Sequence, residues 1–121
     1  MNSVIILTGN PKSTQTIYRS ASRGRFVKVY MTKEGKEIKE RYIREVLAQY
    51  REREPIADCI ELEVDLFFGD RRRRDIDNFN KLILDALIGI VYEDDSQIMK
   101  LTITKNYDKE YPRAEIIIHK T

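Results

Sequence analysis

Apolar and polar residues alternate most cleanly over residues 59–68, where Ile60, Leu62, Val64, Leu66 and Phe68 interleave with Glu61, Glu63, Asp65 and Phe67. A period of two puts the first set on one face, so this stretch predicts a strand with one buried face and one mostly wet face. Residues 3–8, residues 25–31 and the run around Met99, Leu101 and Ile103 read as further strands. Ala114 to His119 reads as the last one, with Asn106 to Pro112 as the hairpin turn before it. Elsewhere the period lengthens. Ile38, Tyr42, Val46 and Tyr50 recur every four residues, with Ile43 and Leu47 beside them. Behind Thr32 as N-cap, this predicts a helix to about Glu52, closed by Pro55. A second helix is predicted over residues 75–90. At roughly 100° per residue, Ile76, Phe79, Ile83, Leu87 and Ile90 share one stripe, and Asp77, Asn78, Lys81 and Asp85 face the other way. Residues 10–24 are polar and read as a loop. The expected architecture is α+β: one domain over residues 1–121, with a small mixed, mostly antiparallel sheet and two main helices packed on it.

Composition narrows the chemistry. A chain of 121 residues, 41% hydrophobic and 35% charged, supports one compact core and is too apolar for a disordered tail. No apolar run reaches the roughly 18 residues a membrane-spanning helix needs. The apolar start has no basic segment before it, so it reads as a strand and not an export signal, and a cytoplasmic protein is expected. A single cysteine, Cys59, excludes an internal disulfide framework, and a single histidine, His119, leaves no Cys/His zinc set. His119 lies in an apolar run and reads as a strand residue. No membrane partner and no organic cofactor are expected, so any catalysis falls to carboxylates, lysine and a hard metal ion.

The net charge of +2 hides a block structure. Residues 11–54 carry twelve Lys/Arg against six Asp/Glu, and residues 55–70 carry five acids and no base. Four arginines, Arg71 to Arg74, follow; then residues 75–98 hold six acids and one lysine. The mixed charges of 33–54 suit a solvated helix face. The arginine run does not fit that description.

Four arginines directly before a helix N-terminus oppose the partial positive charge of that end. A partner of dense negative charge resolves the conflict, and phosphate is the natural one. Inside the arginines comes Asp75-Ile76-Asp77, and Glu93-Asp94-Asp95 follows the helix. Singly, an acid at a helix start or an Asp77–Lys81–Asp85 spacing is ordinary capping and pairing. Together, carboxylates brought near one another repel unless a proton or cation joins them. Oxygen ligands without Cys or His select Mg²⁺ or Mn²⁺. Arginines for phosphate beside carboxylates for such an ion describe metal-assisted phosphodiester chemistry.

The stretch Asp70-Arg-Arg-Arg-Arg-Asp75-Ile-Asp77-Asn78-Phe-Asn-Lys81, with Asp85-Ala86-Leu87 and Asp94-Asp95-Ser-Gln97, resembles the RusA family of Holliday-junction resolvases. The shared pattern runs from Asp70 to Gln97. Pro11, Ser13, Tyr18, Arg19 and the run from Thr32 resemble the family's first loop and helix more loosely, with Gln15-Thr16-Ile17 where some members carry an asparagine pair and an aromatic. The resemblance implies a Mg²⁺-dependent endonuclease, with Mn²⁺ as substitute, acting as a homodimer on four-way DNA junctions in recombination and repair. By position, Asp75, Asp77 and Asp95 would be the acidic catalytic and metal-ligating residues, with Asp94 as alternative to Asp95. Lys81 would be the essential basic residue, and Arg71, Arg72, Arg73 and Arg74 would hold DNA. Asp85 would orient Lys81, and Asn78 would bond a carboxylate or phosphate. Leu84 and Ile88, off the apolar stripe, would leave dimerising surface exposed. Such a protein would associate with the nucleoid when on DNA and would suit a phage or prophage. The rival expectations are a catalytically silent binder of branched DNA and a nuclease for flaps or other branches.

Overall fold

The strand that alternates most cleanly lies inside the sheet. The computed structural model describes residues 3–24 and 26–120. Strands β1 (Ser3–Thr8), β4 (Ile60–Phe68), β5 (Ile98–Tyr107) and β6 (Arg113–Lys120) form one sheet in the order β1-β6-β4-β5. β6 runs antiparallel to both β1 and β4, whereas β5 runs parallel to β4. A separate two-stranded sheet pairs β2 (Tyr18–Arg23) with β3 (Phe26–Met31). The expected α+β class, with a mixed and mostly antiparallel sheet, is what the chain adopts.

The core lies on one face of the larger sheet. Ile60, Leu62, Val64, Leu66 and Phe68 are buried there with Ile5, Leu7, Ile116 and Ile118. Helix α2 (Lys33–Gln49) covers them with Ile38, Tyr42 and Val46, while Leu47, expected beside that stripe, is exposed. The Thr32 hydroxyl accepts from Gly35 N at 3.0 Å, the expected N-cap. The helix stops at Gln49, short of Glu52. Its side chains also close the β1 edge. Ile6 N donates to Gln49 Oε1 and Gln49 Nε2 to Ile6 O, both at 2.7 Å, and Arg41 Nη2 donates to Thr8 O at 2.8 Å. An edge strand whose backbone groups are satisfied this way offers no template to another chain.

Three expectations are corrected. First, residues 10–24 are not simply a loop: a turn, α1 (Thr14–Ile17), leads into β2, because Ser20 and its neighbours find partners across a hairpin the apolar pattern does not reveal. Second, β5 and β6 form no hairpin. β4 lies between them, and the parallel β4–β5 pairing makes residues 69–97 a crossover connection. Third, the helix expected over 75–90 is broken. Asp75 is extended, Ile76–Asn78 make one 3₁₀ turn, and only Lys81–Leu87, here α3, is α-helical. Phe79 accounts for the break. Its ring packs edge-on to Phe68, with centroids 5.0 Å apart, and its backbone stands at φ −119°, away from the roughly −63° of an α-helix. The flanking asparagines are weak helix formers and do not resist the break. Ile76 is therefore exposed, whereas Leu84 is buried with Leu82, Ile83, Ala86 and Leu87. Leu84 supplies no dimerising surface, and Ile88 packs against the core. Gly89, at φ 83°, then turns the chain away in a conformation that L side chains rarely adopt.

Candidate active site

The connection from β4 to β5 carries every acidic and basic residue singled out above, apart from the N-terminal loop. It begins at the carboxyl end of β4, where open sheets with parallel strands commonly present their ligand sites. Gly69 N donates to Asn10 Oδ1 at 3.0 Å, which draws the N-terminal loop against the arginine run. Between loop and run lies a cavity of about 370 Å³, with Lys12 and Gln15 on one wall and Arg72, Arg73, Asp75 and Asn78 on the other. Thr14 Oγ1 donates to Asn78 O at 2.9 Å and ties the two walls together.

The four arginines divide. Arg74 is spent within the fold: its Nη1 lies 2.9 Å from Asp70 Oδ1 and its guanidinium 4.3 Å from the centre of the Phe68 ring. Only 14% of its side chain is exposed. The same ion pair, with Arg72 N bonding the carboxylate as well, holds the Asp70 carboxyl below the usual carboxylate range. Arg71 stacks on Tyr107 at 4.4 Å. Arg72 is 84% exposed and meets Asp70 at 4.0 Å. Arg73 is exposed and has no ion pair, hydrogen bond or ring contact among the described residues.

Asp75 and Asp77 are both exposed, and neither carboxylate has a hydrogen bond or ion pair among the described residues. Lys81 opens α3, but because the helix is interrupted at 78–80 it makes no ion pair with Asp77. It makes none with Asp85 either. Its ammonium lies over the Tyr18 ring, 4.7 Å from the centroid, and the Tyr18 hydroxyl donates to Asp85 Oδ2 at 3.3 Å. Burial, then the Asp85 carboxylate, raise the Tyr18 pKa.

Asp94 and Asp95 do different work. Asp94 is the N-cap of a 3₁₀ turn (Asp95–Gln97): its Oδ2 accepts from Ser96 N at 3.0 Å, and Gln97 Oε1 accepts from Asp94 N at 2.8 Å. Those bonds from Ser96 keep its carboxyl below the usual range. Asp95 Oδ1 instead accepts from the Tyr92 hydroxyl at 2.8 Å. The Tyr92 ring is wholly buried, and the hydroxyl also lies 3.3 Å from Leu84 O on α3. Burial, then the bond to Asp95, raise the phenol pKa far above neutrality, so the hydroxyl remains a donor.

The structure thus places Arg72, Arg73 and Asp75 on one cavity, with Lys81 beside Tyr18 and Asp95 beside Tyr92. It does not draw Asp75, Asp77 and Asp95 into one cluster: among the described residues no three Asp, Glu, His or Cys side chains stand close enough to hold a metal ion. Pattern reasoning did not find Tyr92 or the Tyr18–Lys81 contact, since neither has a spacing signal. The Asp70–Arg74 pair did have one in its i,i+4 separation.

The model of the family described as endodeoxyribonuclease RusA matches residues 8–119. The chain belongs to the RusA endodeoxyribonuclease family. A curated relative from Bacillus subtilis (strain 168), described as uncharacterized protein YqaN, is 46% identical over 44 residues. That match covers 36% of this chain and 30% of the relative. No helix among the described residues is long and apolar enough to cross a membrane.

Proposed function

We propose that this protein is a Mg²⁺-dependent endonuclease that cuts four-way DNA junctions by hydrolysing one phosphodiester on each of two opposed strands. One observation carries the reading: the carboxylates of Asp75 and Asp77 and the guanidinium of Arg73 stand unpaired within a few residues of one another, in the segment the RusA family model covers. Surface stability alone gives no reason to crowd free charges of both signs into one segment, whereas a ligand with phosphates and a cation uses both.

Asp75, Asp77 and Asp95 would hold the ion once Asp95 and the 75–77 turn are drawn together, since among the described residues they do not form a three-carboxylate cluster. Their donor chemistry, carboxylate oxygen without nitrogen or sulfur, fits a hard divalent cation. The chemistry such an ion would supply is activation of water and neutralisation of phosphate charge. The chain's own groups do the rest. Arg72 and Arg73 bind the backbone through the cavity mouth. Lys81 meets negative charge as it develops on the phosphate, worth most when the ammonium is already in place. Tyr92 holds Asp95 by one carboxylate oxygen, and among the described residues the other has no partner. Asp94, engaged as a cap, is the poorer ligand.

A homodimer matches the two-fold symmetry of the substrate. It is supported by β5, an edge strand whose backbone, among the described residues, receives no helix side-chain bonds like those α2 gives β1. Met99 is 67% exposed and Leu101 37%, at alternate positions of β5, with the 37%-exposed Ile76 on the neighbouring turn. The separation of the three carboxylates favours a second reading, a silent binder of branched DNA. A synthetic junction incubated with Mg²⁺ or EDTA separates the two. Symmetrical, paired nicks that need the metal support the enzyme, and retention without cutting supports the binder.

A further inference from the structure

Tyr18 stands where the N-terminal turn meets the catalytic segment. It is the first residue of β2 and caps α1. Its backbone is fixed from the preceding residue: Ile17 O accepts from Thr32 N at 2.7 Å and from the Thr32 hydroxyl at 3.1 Å. A Cβ added at Gly35 would lie 2.7 Å from the same carbonyl, so α2 and the turn approach as closely as glycine permits. On that mount, the ring receives the Lys81 ammonium and the hydroxyl bonds Asp85, the two residues of α3 that escape the core. Among the described residues Lys81 has no other polar or ring contact.

We infer that Tyr18 is a positioning residue for the reaction: its ring sets where the Lys81 ammonium stands, and its bond to Asp85 sets the ring. A lysine side chain at a solvent-facing helix start samples many rotamers, and each must be given up when it meets phosphate. The face of an aromatic ring attracts an ammonium and removes part of that cost in advance. The expected Asp85–Lys81 pairing is thereby replaced by an indirect one through Tyr18. The turn that mounts Tyr18 also lines the cavity through Lys12 and Gln15, so one rigid piece touches the backbone-binding wall and the lysine. The inference rests on the reading of Lys81 as the residue that meets the phosphate.

The test is single-turnover cleavage of a synthetic four-way junction by the full chain in Mg²⁺, with gel-shift affinity measured alongside. Tyr18→Leu should slow cleavage about five- to tenfold and leave junction affinity within about twofold, because only the placement of the ammonium is lost. Tyr18→Phe keeps the ring and should restore the rate to within about threefold of the parent. Fluorinated phenylalanines at position 18 keep the shape while draining the ring face, and should lower the rate stepwise. That series decides the matter if Tyr18→Leu does not fold. A flat rate across it, with Lys81→Met having abolished cleavage, overturns the role of Tyr18 alone. Cleavage undiminished in Lys81→Met overturns the reading of Lys81, and the inference with it.

Discussion

The Tyr92 hydroxyl reaches the Asp95 carboxylate across 2.8 Å from a ring with no solvent exposure. A buried aromatic thus holds one oxygen of an exposed acid. Replacing Tyr92 by Phe keeps the packing and deletes that bond. It should cost about 1 kcal/mol, since a single net hydrogen bond is worth that order. Differential scanning calorimetry should register a fall of about 3–5 °C in Tm. Junction cleavage should drop by more than the small loss of folded protein explains.

Arg73 and Arg74 are neighbours in opposite settings: Arg74 is held within the fold, and Arg73 is exposed and unpaired among the described residues. Arg74→Ala removes the Asp70 pair and the cover over Phe68, and should lower stability by about 1–2 kcal/mol. Arg73→Ala should leave stability within about 0.5 kcal/mol. It should instead weaken junction binding and reduce the slope of log affinity against log salt by about one. Fluorescence anisotropy at several salt concentrations and urea unfolding of both variants check the division.

Asp65 sits on the open sheet face, where burial, then Glu63 and Glu115, raise its pKa above the ordinary 3.8, against a bond from Thr104. A raised acid binds its proton more tightly folded than unfolded. Its ionisation therefore weakens the fold as pH climbs from the unfolded pKa through the folded one. Asp65→Asn should raise Tm at pH 7 by about 1–2 °C. The advantage should shrink as pH falls through the folded pKa and then the ordinary 3.8, and vanish near about pH 3, where the parent side chain is protonated in both states. Paired thermal melts from pH 3 to 7 measure it.

How far residue pattern carries depends on what sets each element. β4 reads directly because its partners lie on both sides and its core face is uniform. α2 reads directly because Thr32 caps it and Ile38, Tyr42 and Val46 repeat at helical spacing. The 75–90 helix fails at Phe79, whose contact with Phe68 is tertiary and leaves no local trace. The parallel placement of β5 is likewise hidden, since the turn before β6 looks the same whether or not the two strands pair. Among the candidate site residues, Asp75, Asp77, Lys81 and the arginines stand out by charge out of place. The split between Arg73 and Arg74, and between Asp94 and Asp95, emerges only from which side chains meet.

If this chain cuts branched DNA with carboxylates on the β4–β5 crossover, Asp77 is needed for cutting and not for binding. Nick mapping at nucleotide resolution on a synthetic four-way junction, comparing the parent with Asp77→Asn in Mg²⁺, tests it most directly. Paired nicks at symmetry-related positions are expected for the parent, with undiminished junction binding and no nicks for Asp77→Asn. Equal cutting by both proteins, or none by the parent in Mg²⁺, would contradict it.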